Sequence, residues 1–518
     1  MKGHQHEARQ REARHPQARH DGRCADAARA VRALVGALAL AGCQFAPAYH
    51  VPTNGGIPAE FKEAPDWRPA APAQTDNGAA MWTAFGDPEL DRLETIALNE
   101  NQNVEVAAAS FRNALAVVAQ ERALLFPTVD LTTGASTTGR FSNSQIKGFN
   151  SNGSSNGNNS FNGNTTIPNG TQTTTQPLTL GATWAPDFSG GVRDSVAQAR
   201  ALAQASNADL ANATLAAQST LALDYVTYRG VIAEEAIYAD TVAAYAKALE
   251  ISTHMYDAGK VSKSDVYQAE TSLRNARATA ADLERQAATL QHAIAVLAGR
   301  NPSTFTIAAS EWNTTVPEVP AVLPGELLER RPDVAGAERR VAAANAAIGI
   351  ARSAYFPTIT FTAQAATDIE KLSSILSGKY SAWSLGVDGA LTLLDFGARA
   401  SQVDAARAAY EQTVGQYRET VLTAFQQTED QLAAVRYYAE EATEAAAAAD
   451  SAQRAETIAR NQYRAGSISY TAVIVAQTAA LSARVSAVQA VVNRQSAAVL
   501  LMEALGGSWD TAPKLAAR

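Results

Sequence analysis

The chain has 518 residues, 46% hydrophobic, 18% charged and 7% aromatic, with a formal charge of −8. That composition supports a sizeable core and excludes wholesale disorder. Residues 1–42 carry 8 Lys/Arg and 4 Asp/Glu, leaving 35 basic and 47 acidic groups beyond them, the wrong balance for a nucleic-acid binder.

Two cysteines, Cys24 and Cys43, both lie in the first tenth of the chain, so neither a disulfide framework nor a cysteine metal site is expected. No stretch reaches the roughly 18 consecutive apolar residues of a spanning helix, which argues against a helical-bundle membrane protein. Residues 33–42, ALVGALALAG, form a short apolar run after Arg29 and Arg32 and read as the core of a secretory signal. The run ends in Leu40-Ala41-Gly42-Cys43, which resembles the bacterial lipobox. That resemblance implies that Cys43 becomes an acylated N-terminus, and Gln44 after it favours the outer membrane. Residues 1–28 are long, rich in Arg and His and interspersed with acids. His4-x-His6 there reads as solvated rather than as a metal site.

Segments recur along the rest of the chain, and repeats precede fold assignment. Phe126-Pro127-Thr128 matches Phe356-Pro357-Thr358 at an offset of 230, as does Asn103-Val104 with Asp333-Val334. Asp187-Phe188-Ser189-Gly190 matches Asp395-Phe396-Gly397 at 208. Tyr256-x-Ala258-Gly259-x-Val261-Ser262 matches Tyr463-x-Ala465-Gly466-x-Ile468-Ser469 at 207. The drop of 22 places a longer connection in the first half. It holds residues 140–176, a Ser/Asn/Gly/Thr tract whose only charges are Arg140 and Lys147. Such a tract reads as a surface loop.

In chain order, 89–125 predicts one helix ended by Pro127, and 333–355 predicts its counterpart. Period-two segments follow. Val129, Leu131, Thr133 and Ala135 alternate with polar or small residues, and so do Leu178, Leu180, Ala182 and Trp184. Ile359, Phe361 and Ala363 do the same, then Trp383, Leu385, Val387, Gly389 and Leu391. One face is apolar. Either a half-buried soluble sheet or a membrane barrel with a wet lumen would show this pattern. From Gly190 to Gly259 is 69 residues, as is Gly397 to Gly466, and no proline interrupts either. Each predicts a helix of about 100 Å. Second helices over 262–298 and 469–505 turn these into long αα-hairpins with tips near 257–263 and 464–470.

These landmarks carry a family resemblance. Leu327-Leu328-Glu329-Arg330-Arg331-Pro332-Asp333-Val334, Ala337-Glu338, Ala346-Ala347-Ile348-Gly349-x-Ala351 and Phe356-Pro357 are the strongest segment. Trp82-x-x-Phe85-x-Asp87-Pro88-x-Leu90, Tyr463-Arg464-Ala465-Gly466 and Ala504-Leu505-Gly506-Gly507 add to it. Over about residues 40–510 the chain resembles the TolC-like outer-membrane efflux channels, in the lipoprotein branch that serves resistance-nodulation-division (RND) pumps. The resemblance implies an α+β membrane protein. In it, a homotrimer forms a twelve-stranded outer-membrane β-barrel, four strands per chain. This barrel is continuous with a long periplasmic α-helical barrel and a small mixed equatorial belt. Four strands cannot close a barrel alone, and an open edge cannot survive in lipid, so several chains must pool strands. The expected division is a signal over 1–42, a lipidated extended segment over 43–87 and a first repeat over 88–300. A connector over 301–332, a second repeat over 333–505 and a tail over 506–518 follow.

The implied function is a passive exit duct for small toxic compounds in a Gram-negative bacterium, joined through its tips to a periplasmic adaptor and an inner-membrane RND-type pump. The alternative is an elongated periplasmic coiled-coil lipoprotein with a structural or adhesive role, which leaves the amphipathic strands unexplained. By the resemblance, the adaptor-docking positions are Ala258, Gly259, Lys260, Val261 and Ser262 on one tip. On the other they are Ala465, Gly466, Ser467, Ile468 and Ser469. Asp265 and Tyr470 lie just past the tips at positions matching gate-region residues, and Arg464 and Arg460 are available partners, which makes Asp265, Arg464 and Tyr470 the gate candidates. Similar channels often carry an aspartate where this chain has Val475, within Val473-Ile474-Val475-Ala476-Gln477, so an acidic ring from that position is impossible. No catalytic residues, metal set or cofactor are expected. Ala258-Gly259-Lys260-Val261-Ser262 lacks the earlier glycine of a phosphate loop, since His254 stands there, and Val follows the lysine. His254 and His292 read as structural.

Overall fold

A computed structural model describes residues 45–53, 61–62, 82–134, 136–138, 173–175, 177–308, 310–316, 330–368 and 381–507. The signal, Cys43, most of the 140–176 tract, the end of the connector and the tail beyond 507 lie outside the described residues. The elements are a 3-10 turn Trp82–Phe85, α1 Pro88–Glu100, α2 Gln102–Ala123, β1 Thr128–Thr133, β2 Ser136–Thr138, β3 Thr173–Thr175 and β4 Pro177–Trp184. Then come α3 Gly191–Asp257, α4 Lys263–Leu297, α5 Pro332–Ser353, β5 Thr358–Asp368, β6 Ser381–Ala390, α6 Ala398–Arg464 and α7 Tyr470–Ala504. Helices α3 and α6 have 67 residues each, and α4 and α7 have 35 each.

The helix expected over 89–125 is two helices. Asn101 leaves the helical region at φ −66°, ψ 124°. Its Oδ1 accepts from the Asn103 and Val104 amides at 2.8 and 3.2 Å, capping α2, and its Nδ2 donates to the Leu297 carbonyl at 2.8 Å. A short amide side chain competes for backbone partners and so favours a cap over a helix interior. Asp87 caps α1 in the same way, accepting from the Glu89 and Leu90 amides, with Pro88 in the first turn.

The described residues fall into two compact units. One draws on Met1–Ala46, Glu121–Ser195 and Ile348–Val403; the other draws on Pro47–Gln120, Val196–Ala347 and Asp404–Arg518. In the first, β1, β4, β5 and β6 form one antiparallel sheet in that order, and β2 and β3 form a two-stranded ribbon. The register pairs Leu131 with Leu180, Trp184 with Phe361, and Phe361 with Val387. Directly opposed residues share a face, so the apolar positions of all four strands align on one side. The other side carries Thr128, Asp130, Thr132, Thr179, Thr183, Thr360, Gln364, Ser384 and Asp388. At the foot of the sheet, Trp184 Nε1 donates to the Leu125 carbonyl at 3.0 Å, and Phe45 stacks on Phe356 with centroids 4.1 Å apart.

The paired Asp-Phe landmarks anchor the two 67-residue helices. Asp187 accepts from the Arg193 amide at 2.9 Å and Nε at 3.2 Å. Asp395 accepts from the Arg399 amide at 3.1 Å and Nε at 2.5 Å, and from the Gly397 amide at 3.2 Å. A carboxylate there satisfies orphan amides and complements the positive end of the helix. Gly349 in α5 is also explained: a Cβ there would come within 2.2 Å of the buried Asp194 Oδ2.

In the second unit the largest core gathers Trp82, Phe85, Leu90 and Leu93 with Leu221, Tyr225, Ile294, Leu501 and their neighbours. Tyr225 donates to Asp87 Oδ2 at 2.8 Å, tying α3 to the cap of α1. Arg331, 7% exposed, donates to the Ala504 carbonyl at 2.9 Å, Gln427 Oε1 at 2.7 Å and Asp333 Oδ2 at 2.7 Å. It joins α5, α6 and the end of α7. Gly506, at φ 87°, closes α7 so tightly that a Cβ would lie 3.0 Å from the Arg330 backbone. Smaller clusters run along the hairpins, among them Val231–Leu283–Ala287 and Tyr245–Leu273–Ala276.

Helix α7 departs from the expectation that no helix is apolar enough to span. Its most apolar 18 residues reach a mean hydropathy of 1.4, which meets that test by length and composition. The residues are not consecutively apolar, which is why a run count missed them. The helix also holds Arg484, Arg494 and two buried glutamines, Gln477 and Gln495. Gln495 accepts from Trp312 Nε1 at 3.1 Å and donates to the Asn313 carbonyl at 2.8 Å. These contacts tie Gln495 into the belt, whereas only 17% of the most apolar stretch is buried within the single chain.

Candidate functional site

Two surfaces stand out, one in each unit. On the sheet, Val129, Leu131, Trp383, Leu385 and Val387 are 65–78% exposed, and Leu180, Trp184 and Phe361 are also exposed. Among the described residues nothing covers this face. A half-buried soluble sheet would hide it under helices, so the choice left open by periodicity falls to a face that meets something outside the chain. Strands β1 and β6 are the sheet's edges, and their unpaired backbone groups demand partners wherever water is absent.

The second surface is the pair of helical tips. Both helices end in the same motif. The Gly259 amide donates to the Tyr256 carbonyl and the Lys260 amide to Met255, each at 2.8 Å; Gly466 and Ser467 repeat this on Tyr463 and Gln462 at 2.9 Å. Gly259 and Gly466 sit at φ 69° and 76°, with nothing within 4 Å of a Cβ built on either. They are glycine for backbone conformation and not for space. Ala258, Gly259, Lys260, Ser262, Ala465, Gly466, Ser467 and Ser469 are exposed, and Val261 and Ile468 half-buried.

The gate candidates occupy different environments. Asp265 is half-buried and accepts from the Ser262 amide at 3.2 Å, in a capping-box arrangement that starts α4. Arg464 is exposed and makes no ion pair among the described residues, whereas Arg460 pairs with Glu456. Tyr470 is 3% exposed and packs on Tyr463 at 5.3 Å between centroids. Burial, with the nearby Tyr463 and Tyr245, pushes its pKa up to about 12. Its hydroxyl therefore keeps its proton. Tyr463, Tyr470, Val473 and Ala269 form the core that joins the two hairpins at this end. Within the single chain Tyr470 is thus an interior side chain, not a free surface donor. Val475 is 65% exposed, so the departure from an aspartate there concerns an accessible position. The sequence reading missed the burial of Tyr463 and Gln477 at this junction; the seven-residue spacing of Tyr470 and Gln477 on α7 was the available signal.

The family model described as outer membrane efflux protein matches residues 94–300 and 323–507. The probable efflux pump outer membrane protein TtgC of Pseudomonas putida is 28% identical over 478 residues, spanning 92% of this chain and 94% of that protein. The pyoverdine export outer membrane protein OpmQ of Pseudomonas aeruginosa is 28% identical over 477 residues, 92% and 96% of the two chains. Among solved structures, the outer-membrane channel OprN superposes with a TM-score of 0.77 at 25% identity, covering 90% of this chain and all of that one. The Campylobacter jejuni CmeC outer membrane channel shares the fold with a TM-score of 0.76 at 19% identity, over 90% and 97%. The uncovered apolar sheet face, the long hairpins and these matches converge: the chain belongs to the outer membrane efflux protein family and is an efflux channel of the outer membrane, not an enzyme.

Proposed function

We propose that three copies of this chain form the exit duct of a tripartite efflux assembly. Each contributes β1, β4, β5 and β6 to a twelve-stranded barrel, with the Val129–Leu131–Trp383–Leu385–Val387 face toward lipid and the Thr/Ser/Asp face toward a wet lumen. The paired halves of the sequence place a hairpin of strands and a long helical hairpin in each repeat. The helical hairpins build a periplasmic duct, and the Trp82–Leu90 core forms part of the belt around it. The tips at Ala258–Ser262 and Ala465–Ser469 meet an adaptor that links the duct to an inner-membrane RND-type pump. Cys43, once acylated, adds a lipid anchor.

The observation that carries this reading is the open four-stranded sheet whose apolar face exposes Val129, Leu131, Trp383, Leu385 and Val387. Its edges cannot be satisfied in a bilayer by one chain, and pooling copies both pairs the edges and turns the apolar face to lipid. The test is fractionation with semi-native electrophoresis. Outer-membrane fractions should contain a heat-labile species at three chain masses, and disrupting the gene should raise sensitivity to exported compounds. A monomer in the soluble periplasmic fraction would refute the proposal.

A further inference from the structure

Strands β1 and β6 leave the sheet with two open edges, and their sequences do not guard them. TVDLTT and SAWSLGVDGA contain no lysine and no proline, the residues that commonly keep an exposed edge from pairing. Each strand runs antiparallel to its neighbour in the order β1, β4, β5, β6. Strand β6 therefore runs opposite to β1, and the β6 edge of one copy meets the β1 edge of a second as an ordinary antiparallel pair. Such a head-to-tail contact is heterologous, the kind that closes into a ring.

The internal repeat carries a register for that contact. Strands β1 and β5 are equivalent through Phe126-Pro127-Thr128 and Phe356-Pro357-Thr358, at an offset of 230. In the first hairpin Thr128 pairs with Thr183, and in the second Thr358 pairs with Ala390. Thr183 is thus equivalent to Ala390, which relates β4 to β6 by 207 residues, the offset that also relates the two tips. Within the chain, the end of the first repeat already meets the start of the second. Strand β4 pairs with β5, with Trp184 opposite Phe361 and their rings 6.1 Å apart. Moving that join one repeat along replaces Trp184 by Leu391 and Phe361 by Leu131. In the single chain these two are 48% and 68% exposed, without the counterpart that Trp184 and Phe361 find in each other.

The pattern of faces checks this register independently. Leu391 and Leu131 both belong to the apolar alternation of their strands, so the carried pairing keeps apolar with apolar. A slip of one residue would set Leu391 opposite Thr132 or Asp130 and turn one strand's apolar side over. The offset of 208 between Asp187 and Asp395 would make that slip, which places the Asp-Phe landmarks beyond the repeat of the strands themselves.

We propose that β6 of each copy binds β1 of a second copy in the register Leu391–Leu131, Ala390–Thr132 and Gly389–Thr133, repeating between chains the join that β4 and β5 make within one. This rests on the three-copy reading above and adds to it which residues meet at each seam. The Leu391–Leu131 pair closes the apolar band where the chain itself leaves it open.

Cysteine pairs in the full-length protein read the register. Leu391→Cys with Leu131→Cys, and Ala390→Cys with Thr132→Cys, set thiols opposite each other on the two faces of the seam. Directly opposed residues lie about 4.5–5.5 Å apart at Cβ, and a shift of two opens this to about 7–8 Å, beyond disulfide reach. Copper-phenanthroline oxidation of outer-membrane fractions should convert at least one of these pairs to species of two and three chain masses that survive heating without reductant. Leu391→Cys with Val129→Cys, and Ala390→Cys with Asp130→Cys, should stay at one chain mass. So should the single variants and the wild type, which report any link through Cys24 or Cys43. Heat-labile trimers that link through the shifted pairs, or through neither in-register pair, would overturn the seam and leave the three-copy duct standing. Linking of Leu391→Cys alone would show like edges meeting and overturn both, as would the absence of any heat-labile trimer in the wild type. Should one in-register pair not assemble, the other decides. Fast hydrogen exchange of the outward β1 amides in the assembled wild type would overturn the seam without any substitution.

Discussion

Glu94 offers a quantitative test of the belt's electrostatics. It lies on α1 and is 2% exposed, beside the buried Gln218. Burial is the largest influence on it; the Gln218 amide opposes it, the charge of Asp91 adds to it, and its pKa rises from 4.5 to about 9. Below pH 4.5 folded and unfolded chains both hold this proton, and Glu94 adds no pH dependence. Above it the unfolded chain ionises while the folded chain keeps the proton. Stability then falls with rising pH, by about 1.4 kcal/mol per unit, until the folded pKa is reached. From pH 5 to pH 8 the loss from this one group is about 4 kcal/mol. Glu94→Gln preserves shape and cannot ionise. Its stability relative to wild type should therefore climb across that window, whatever constant offset the amide introduces. Guanidinium unfolding of the full-length protein in detergent, followed by far-UV circular dichroism at pH 5, 6.5 and 8, measures the difference. A difference that stays flat over the window would show that Glu94 is ionised when folded, and the reasoning from burial would fail.

Three further outcomes are expected. Arg331→Met removes the donor shared by Ala504, Gln427 and Asp333, costing about 3 kcal/mol as one half of a largely buried ion pair is lost; oligomer yield in the outer membrane should drop. Gly466→Ala meets no atom and adds only left-handed strain of about 1 kcal/mol, so efflux should persist, whereas Ser467→Arg should abolish efflux at unchanged oligomer abundance on semi-native gels if the tips dock a partner. Cys43→Ser should eliminate metabolic acyl labelling, and labelling that survives would remove Cys43 as the lipid attachment point.

Much of the fold was legible because its signals are periodic and local. Alternation marked all four long strands, and the equal Gly-to-Gly spacings marked helices that prove equal in length. What failed to show was set by single side chains. Asn101 divides a stretch that is helical by every neighbour's preference, because its amide captures two backbone donors. Helix α7 eluded a count of consecutive apolar residues because Gln477, Arg484 and Gln495 interrupt it without making its average polar. The orientation of the sheet was also beyond periodicity, since an apolar face looks alike whether a helix or lipid covers it. Only the absence of a covering element among the described residues separates the two.

The motifs that carry the family resemblance and the residues that distinguish this channel lie in different places. Trp82, Asp87, Arg331 and Gly506 have specific tasks in the belt: a buried ring, a helix cap, a three-way donor and a turn pressed against backbone. Each task tolerates few residue types, so these positions are easy to recognise and say little about transport. At the tips only the two glycines are so constrained, by positive φ, and the residues around them are free to differ. Val475, 65% exposed, takes no part in either turn. The junction behind the tips escaped the sequence reading for a different reason. Tyr463 and Tyr470 belong to different helices and meet only because the Gly466 turn folds α7 back on α6. Lys247, more than two hundred residues earlier, joins them through α3. The packing of this end arises from tertiary structure, and its consequence is that a change of residue on any one of three helices alters the same junction.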